Sequence, residues 1–319
     1  MLCALDSAAA VLSPEGLMII HLPPHDPAHT TGEGMWHPQR SAGYILHARA
    51  RAYQWEGDGW LSIKSFVAGR ALYEADDGRF AVDDTSYLVL NHGQPYTLTI
   101  AEPRPVESLC VFFAPGVAAE VQHGLTAPTA RLLDEPQRRA AAATPFVERT
   151  YRHDALVSPA LFALRAHLNA GQWDPVDLQE RVHTLLQRLL QARQGVSREV
   201  EALPAVRAAT RAEIYRRVYR AVDYARAMVD QPLTLAELGG VAGLSPTHLL
   251  RLFPQVVGQT PHQYVITTRL ERAQQLLRHT ERPITDICDA VGFQSLGSFS
   301  WLFRRRLGLS PEAYRRQFR

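Results

Sequence analysis

The chain has 319 residues, enough for two domains that each bury a core, and its 34 Lys+Arg against 32 Asp+Glu give a formal net charge of +2. The charge is unevenly placed: residues 211–319 carry 16 arginines and 9 acids, leaving residues 1–210 net acidic, as expected of a nucleic-acid-binding module joined to a different domain. No apolar run approaches the ~20 residues a membrane span needs, and three cysteines, Cys3, Cys110 and Cys288, form neither a CxxC pair nor a disulfide framework. The first residues lack the basic region of a signal peptide and carry Asp6, so the expectation is a soluble cytoplasmic protein in a reducing compartment. Lysine occurs once, at Lys64.

Residues 1–40 read as an irregular arm. Their stretch PPHDPAHTTGEGMWHP is rich in proline and glycine. His21, His25, His29 and His37 recur at near-helical spacing, but Pro23, Pro24 and Pro27 forbid a helix. No cysteine or carboxylate completes a ligand set with the usual spacing, so no metal is expected there.

Residues 41–114 change character. YILHARARAYQWE, WLSIKSFVAG, RALYEA, RFAVDD, SYLVLNHG, PYTLTIAE and VESLCVFFAPG are short β-branched and aromatic runs separated by Gly, Asp, Asn or Pro. Short strands at even spacing predict a β-sandwich or barrel. Alternation puts Trp60, Ser62, Lys64 and Phe66 on one face, and Tyr96, Leu98 and Ile100 likewise. Cys110 is expected in a strand core and His92 in a turn.

From Ala140 onward the pattern is helical. Ser158-Pro159 opens one helix and Asp174-Pro175 a second, on which Val182, Leu185, Leu186, Leu189 and Leu190 share a face. That leucine face must pack on the barrel or on a second protomer. Residues 196–210 read as a linker, and EIYRRVYRAVDYARAMV begins a helical domain over 211–319.

Within that domain one pattern occurs twice. LTLAELGGVAGLSPTHLLRLFPQVVGQTPHQY is matched by ITDICDAVGFQSLGSFSWLFRRRLGLSPEAY. Leu235, Leu238 and Leu244 recur 49 residues later as Ile284, Ile287 and Phe293; Leu249, Phe253, Gly258 and Pro261 recur 50 residues later as Phe299, Phe303, Gly308 and Pro311. Each copy reads as a short helix, a turn at Gly243 or Gly292, and a second helix with one apolar stripe. Thr234 with Glu237 predicts a capping box, and Ser245-Pro246 an N-cap. This is the helix-turn-helix unit, whose second helix can lie in a DNA major groove. Thr260-Pro261-His262-Gln263 opens a connecting helix of 19 residues, about 28 Å long at about 1.5 Å per residue, close to the roughly 34 Å between successive major grooves.

At these residues, above all GFQSLGSFSWLFRRRLGLSPEAYR, the chain resembles the AraC/XylS family of bacterial transcriptional regulators. The resemblance covers roughly the last 105 residues. It implies an α+β chain: an N-terminal cupin-like β jelly-roll barrel at residues 1–150 that binds an effector, a helical pair at 151–195 used for dimerisation, a linker at 196–210, and an all-α domain with two helix-turn-helix units at 211–319. The His-x-His and following Glu of metal-binding cupins are missing, and Glu102 and Glu107 have no paired histidine in sequence, so no catalytic residue, metal or cofactor is expected.

The same resemblance places Thr247, Leu250 and Arg251 toward bases, beside Ser245 and His248. Arginine can donate twice to guanine O6 and N7, whereas Leu250 offers only methyl contact. In the second recognition helix the matching region is Ser295, Leu296, Gly297, Ser298 and Trp301, which departs from the polar set common in the family. Arg304 and Arg305 just beyond suit phosphates. The effector is expected among aromatic side chains such as Trp36, Phe66, Tyr73 and Tyr96. The implied partners are promoter or operator DNA, an unidentified small molecule, RNA polymerase and a second protomer. Two rivals stay open: a cupin-type metalloenzyme carrying a DNA-binding tail, and a DNA-binding dimer that senses nothing.

Overall fold

Two long strands organise the N-terminal half. The computed structural model describes residues 9–12, 17–22, 43–76, 78–127, 145–171, 174–205 and 207–318. β3 (Gly43–Asp58) and β8 (Pro95–Phe113) run antiparallel along nearly their whole length, from Gly43 opposite Phe113 to Asp58 opposite Pro95. β4 (Leu61–Val67) pairs with the second half of β8, and β5 (Arg70–Ala75) with the first half. β6 (Gly78–Asp83) extends from β5, while β7 (Ser86–Leu90) and β9 (Thr150–Arg152) extend from β4. At the other edge of β3, β2 (Leu17–Leu22) pairs in parallel and β1 (Ala9–Leu12) pairs antiparallel with β2. The strands form the expected barrel, nearly closed.

PYTLTIAE and VESLCVFF, separate in the sequence pattern, belong to the single strand β8. The register breaks between them: Ala50 faces Val106 and Ala52 faces Ala101, so residues 102–105 stand against Arg51 alone. Pro103 and Pro105 lie in this bulge, where a missing N–H costs no ladder bond and the strand bends. The bend lets one strand serve two sets of neighbours.

Other expectations need correction. The arm at 1–40 contains β1 and β2, because pairing with β3 overrides weak local patterning. Trp36, His25, His29 and His37 lie outside the described residues. The helical region after Ala140 includes the edge strand β9. A helix, α1 (Val117–Thr126), follows β8 directly.

The helical pair is α2 (Ser158–Asn169) and α3 (Pro175–Glu201), so α3 runs past Gly195 into the segment expected as linker. The leucine face of α3 is already buried within the chain: Leu185, Leu186, Leu189 and Leu190 are each at most 1% exposed. It is not a free surface for a second protomer.

The outward face of the barrel sheet carries a buried charge cluster. Glu107, expected without a histidine, accepts from His47 Nε2 at 3.2 Å, because the register of β3 and β8 brings the two to one face. Its carboxylate also accepts from Asn169 at 3.1 Å, Arg49 at 2.8 Å and Arg165 at 3.0 Å. Arg165 reaches down from α2 and donates as well to Ser65 Oγ at 2.8 Å and Ser65 O at 3.2 Å. The hydrogen bonds, that of His47 first, outweigh burial and hold the Glu107 carboxyl well below the usual carboxylate range.

The C-terminal unit is helical throughout. It comprises α4 (Ala208–Ala227), α5 (Leu235–Ala242), α6 (Pro246–Val257), α7 (Pro261–His279), α8 (Ile284–Ala290), α9 (Leu296–Leu307) and α10 (Pro311–Gln317). Two cores share α7. Tyr264 at its start packs with Val218, Val222, Leu238, Leu249 and Phe253. Leu270 to Leu277 pack with Ile287, Cys288, Phe299, Phe303 and Tyr314.

Glu107→Ala leaves Arg165 buried without its carboxylate, and removing one partner of a buried pair costs roughly 3–5 kcal/mol. Urea unfolding followed by tryptophan fluorescence should show that loss at neutral pH. Because the folded carboxyl titrates below its unfolded value, the stabilisation is complete above the ordinary Glu range of about 4.3 and is lost as pH falls through the folded value. The wild-type and Glu107→Ala curves should therefore converge in acid.

Candidate nucleic-acid interface

Each helix-turn-helix copy is set by its caps and by one close backbone approach. Ser245 Oγ accepts from His248 N at 3.3 Å, and Ser295 Oγ from Ser298 N at 3.3 Å, so both recognition helices, α6 and α9, begin at a serine N-cap. In both turns a backbone N–H reaches back into the first helix: Leu244 N to Gly239 O at 2.8 Å, and Phe293 N to Cys288 O at 3.1 Å. A Cβ at Gly239 would lie 2.7 Å from Leu244 O, which explains a residue without a side chain at that contact. Cys288 and Cys110 are free and buried, as expected of core cysteines.

The caps differ from expectation in one place. Thr234 Oγ1 accepts from Glu237 N, but the Glu237 carboxylate accepts from Tyr224 OH at 2.8 Å instead of closing a capping box. The complete box is at Thr260 and Gln263, opening α7.

On α6, Leu249, Leu252 and Phe253 are buried while Ser245, Thr247, Leu250 and Arg251 are exposed and His248 is half-buried. Residues 247, 250 and 251 stand three and four apart, on the helix face away from the core. On α9, Phe299 and Phe303 are buried and Ser295, Leu296, Gly297, Ser298 and Trp301 are exposed. Trp301, 57% exposed, occupies the position that Arg251 has in the first copy, and Arg305 lies over its ring at 4.9 Å. Arg304, Arg305 and Arg306 are exposed in the last turn of α9, where α6 has no basic residue. Such cations also suit the negative end of the helix dipole.

The two copies face a common cleft of about 970 Å³, lined by Leu250, His262, Phe293, Ser295 and Ser298 together with Arg269. Arg269, on α7, ties the copies together. Its guanidinium donates to Val229 O at 3.2 Å and Gln231 O at 2.8 Å in the turn that leads from α4 into the first copy, and lies 5.9 Å from the Phe293 ring in the second. Gly292 adopts φ 78°, and a Cβ there would meet this guanidinium at 2.9 Å, so conformation and space both call for glycine. Arg269 was not singled out in the sequence, because its partners are backbone carbonyls 38 and 40 residues away.

In the other unit, Phe66, Tyr73 and Tyr96 all line one small cavity of about 50 Å³ inside the barrel. Trp55, Lys64, Cys110 and Phe112 line it too. Burial pushes the Tyr73 and Tyr96 hydroxyls and the Cys110 thiol up, and pushes the Lys64 ammonium down to about 8. Alternation along β4 pointed to Lys64 and Phe66 on one face; Trp55 and Cys110 join them only through strand pairing.

A family model described as "Helix-turn-helix domain" matches residues 238–317. The regulatory protein SoxS of Salmonella typhimurium is 40% identical over 87 residues, covering 27% of this chain and 81% of that protein. The probable transcriptional regulator LumQ of Photobacterium leiognathi is 38% identical over 92 residues, 29% of this chain and 37% of LumQ. The chain thus spans well under half the length of LumQ. Among solved structures, an AraC-type regulator from Chromobacterium violaceum is 34% identical, covers 32% of this chain and 91% of its own, and has a TM-score of 0.31. The doubled motif, its exposed recognition faces and this degree of identity agree: the chain belongs to the AraC/XylS family of transcriptional regulators, a family of regulators and not of enzymes.

Proposed function

We propose that the chain is a sequence-specific regulator that reads a promoter or operator through α6, holds the backbone through α9, and responds to a small molecule in the N-terminal barrel. The carrying observation is that two helix-turn-helix units share one helix and turn the free faces of α6 and α9 to solvent. Arg251, Thr247 and His248 supply groups that match base edges or phosphates, with Ser245 and Leu250 beside them. Leu296, Gly297, Ser298 and Trp301 lack a bidentate donor for guanine and favour methyl and shape contacts, while Arg304 and Arg305 add sequence-independent affinity.

The effector reading rests on Phe66, Tyr73 and Tyr96 meeting at one cavity, with Trp36 proposed alongside them. The cavity is far below the roughly 300–1,000 Å³ of drug-sized ligand sites, which favours a very small ligand or, as second reading, a barrel that senses nothing. RNA polymerase is the proposed partner at the promoter. A homodimer through the helical pair would use exposed Phe162 and Val176, since the leucine face is covered. The proposed site of action is the cytoplasm; among the described residues no helix is long and apolar enough to cross a membrane.

Residues 205–319 should bind promoter DNA alone, with affinity falling steeply as salt rises. A folded fragment without affinity at low salt overturns the reading. In binding-site selection, Arg251→Ala should relax one base pair and cost roughly 1–3 kcal/mol on the best site; an unchanged motif makes Arg251 a phosphate ligand only. Arg304→Ala or Arg305→Ala should weaken all sequences alike and reduce the salt slope by about one.

A further inference from the structure

The one lysine of this arginine-rich chain is also among its most buried polar residues. Lys64 is 1% exposed and lines the barrel cavity. Its Nζ donates to Tyr96 OH at 3.2 Å and lies 3.5 Å from the Phe112 ring centroid and 5.1 Å from that of Tyr96. Among the described residues no carboxylate pairs with it. An ammonium has three donors, so two remain for something else.

Two further polar groups of the cavity wall are under-satisfied. Trp55 Nε1 is buried with no acceptor, and Tyr73 OH has only the weak thiol of Cys110 beside it. The rest of the lining is mostly rings and aliphatic chains, from Leu46, Phe66, Leu98, Ile100 and Phe112, with Arg49, Tyr53 and Ser108 as its other polar side chains. A buried cation without a counter-ion costs several kcal/mol, and leaving indole and phenol donors unmatched adds to that. Glu107 on the opposite face shows how this fold neutralises a buried charge when no ligand is involved: four side chains close around it. Lys64 is left open.

Resting on the reading of the barrel as an effector site, we propose that its ligand is a short-chain carboxylate, whose anionic head takes the free donors of Lys64, with Trp55 Nε1 and Tyr73 OH completing the set, and whose few carbons lie on Phe66, Leu98 and Ile100. The volume of about 50 Å³ limits the body to a few heavy atoms. Lys64 binds as a point charge, the role a compact ammonium fills better than a planar guanidinium.

The test uses the full chain with propionate, and with propionamide and propylamine as neutral and cationic counterparts of the same size. Thermal melting and tryptophan fluorescence are followed in wild type, Lys64→Met and Trp55→Phe. Propionate alone should raise the melting temperature and perturb the emission. Lys64→Met, which swaps a buried charge for an apolar chain of similar length, should melt cooperatively and bind propionate roughly tenfold or more weakly. Trp55→Phe keeps an aromatic ring and loses the donor, and should weaken propionate by several-fold even where the lysine variant fails to fold. A response to propionamide or propylamine as large as that to propionate, retained in Lys64→Met, overturns the anion and leaves the barrel as an effector site. Silence toward all three probes overturns both.

Discussion

The relation between the two recognition helices depends on α7 belonging to two hydrophobic cores at once. Its first turn is held by Tyr264 among the residues of α4, α5 and α6, and its later turns by Leu270, Ala273 and Leu277 among those of α8, α9 and α10. A helix anchored by packing at both ends cannot bend without opening a core, so the two recognition helices keep a fixed relation. Arg269 reinforces this with two hydrogen bonds to the turn between α4 and α5 and a ring contact in the second copy. Arg226 adds an ion pair to Glu271 at 3.7 Å between α4 and α7. Rigidity matters because two half-sites on a duplex are reached together only when their spacing is preset.

The two copies agree in core and cap but diverge where they face solvent. Leu249 and Phe253 match Phe299 and Phe303, and Ser245 matches Ser295. Arg251 corresponds to Trp301, and the uncharged last turn of α6 corresponds to three arginines in α9. Packing constrains the buried set equally in both copies, whereas each exposed face is free to take a different role at the duplex.

The barrel handles two buried charges in opposite ways. On the outward face, Glu107 is saturated by His47, Asn169, Arg49 and Arg165, which also fastens α2 to the sheet. On the inward face, Lys64 has one hydroxyl and two ring faces. The outer cluster is structural. The inner one retains donors, which the proposed carboxylate would take.

The helical domain was legible in the chain because its signals are local. A capping serine, a turn glycine and an apolar residue every three or four positions act within one or two turns of a helix, and their repetition at an offset of 49 or 50 residues marked both units and the connector. The strands between residues 43 and 113 were legible as strands for the same reason, whereas β1, β2 and β9 were not. Their partners were not. The pairing of His47 with Glu107 spans 60 residues, the fusion of two runs into β8 depends on a bulge opposite β3, and Arg269 acts on carbonyls in the turn between α4 and α5. The burial of the α3 leucine face and the meeting of Trp55, Lys64, Tyr73 and Tyr96 at one cavity likewise arise from contacts between distant segments. Periodicity assigns a side chain to a face; which other face it meets follows from sheet register and helix docking, set by long-range packing that local composition does not encode.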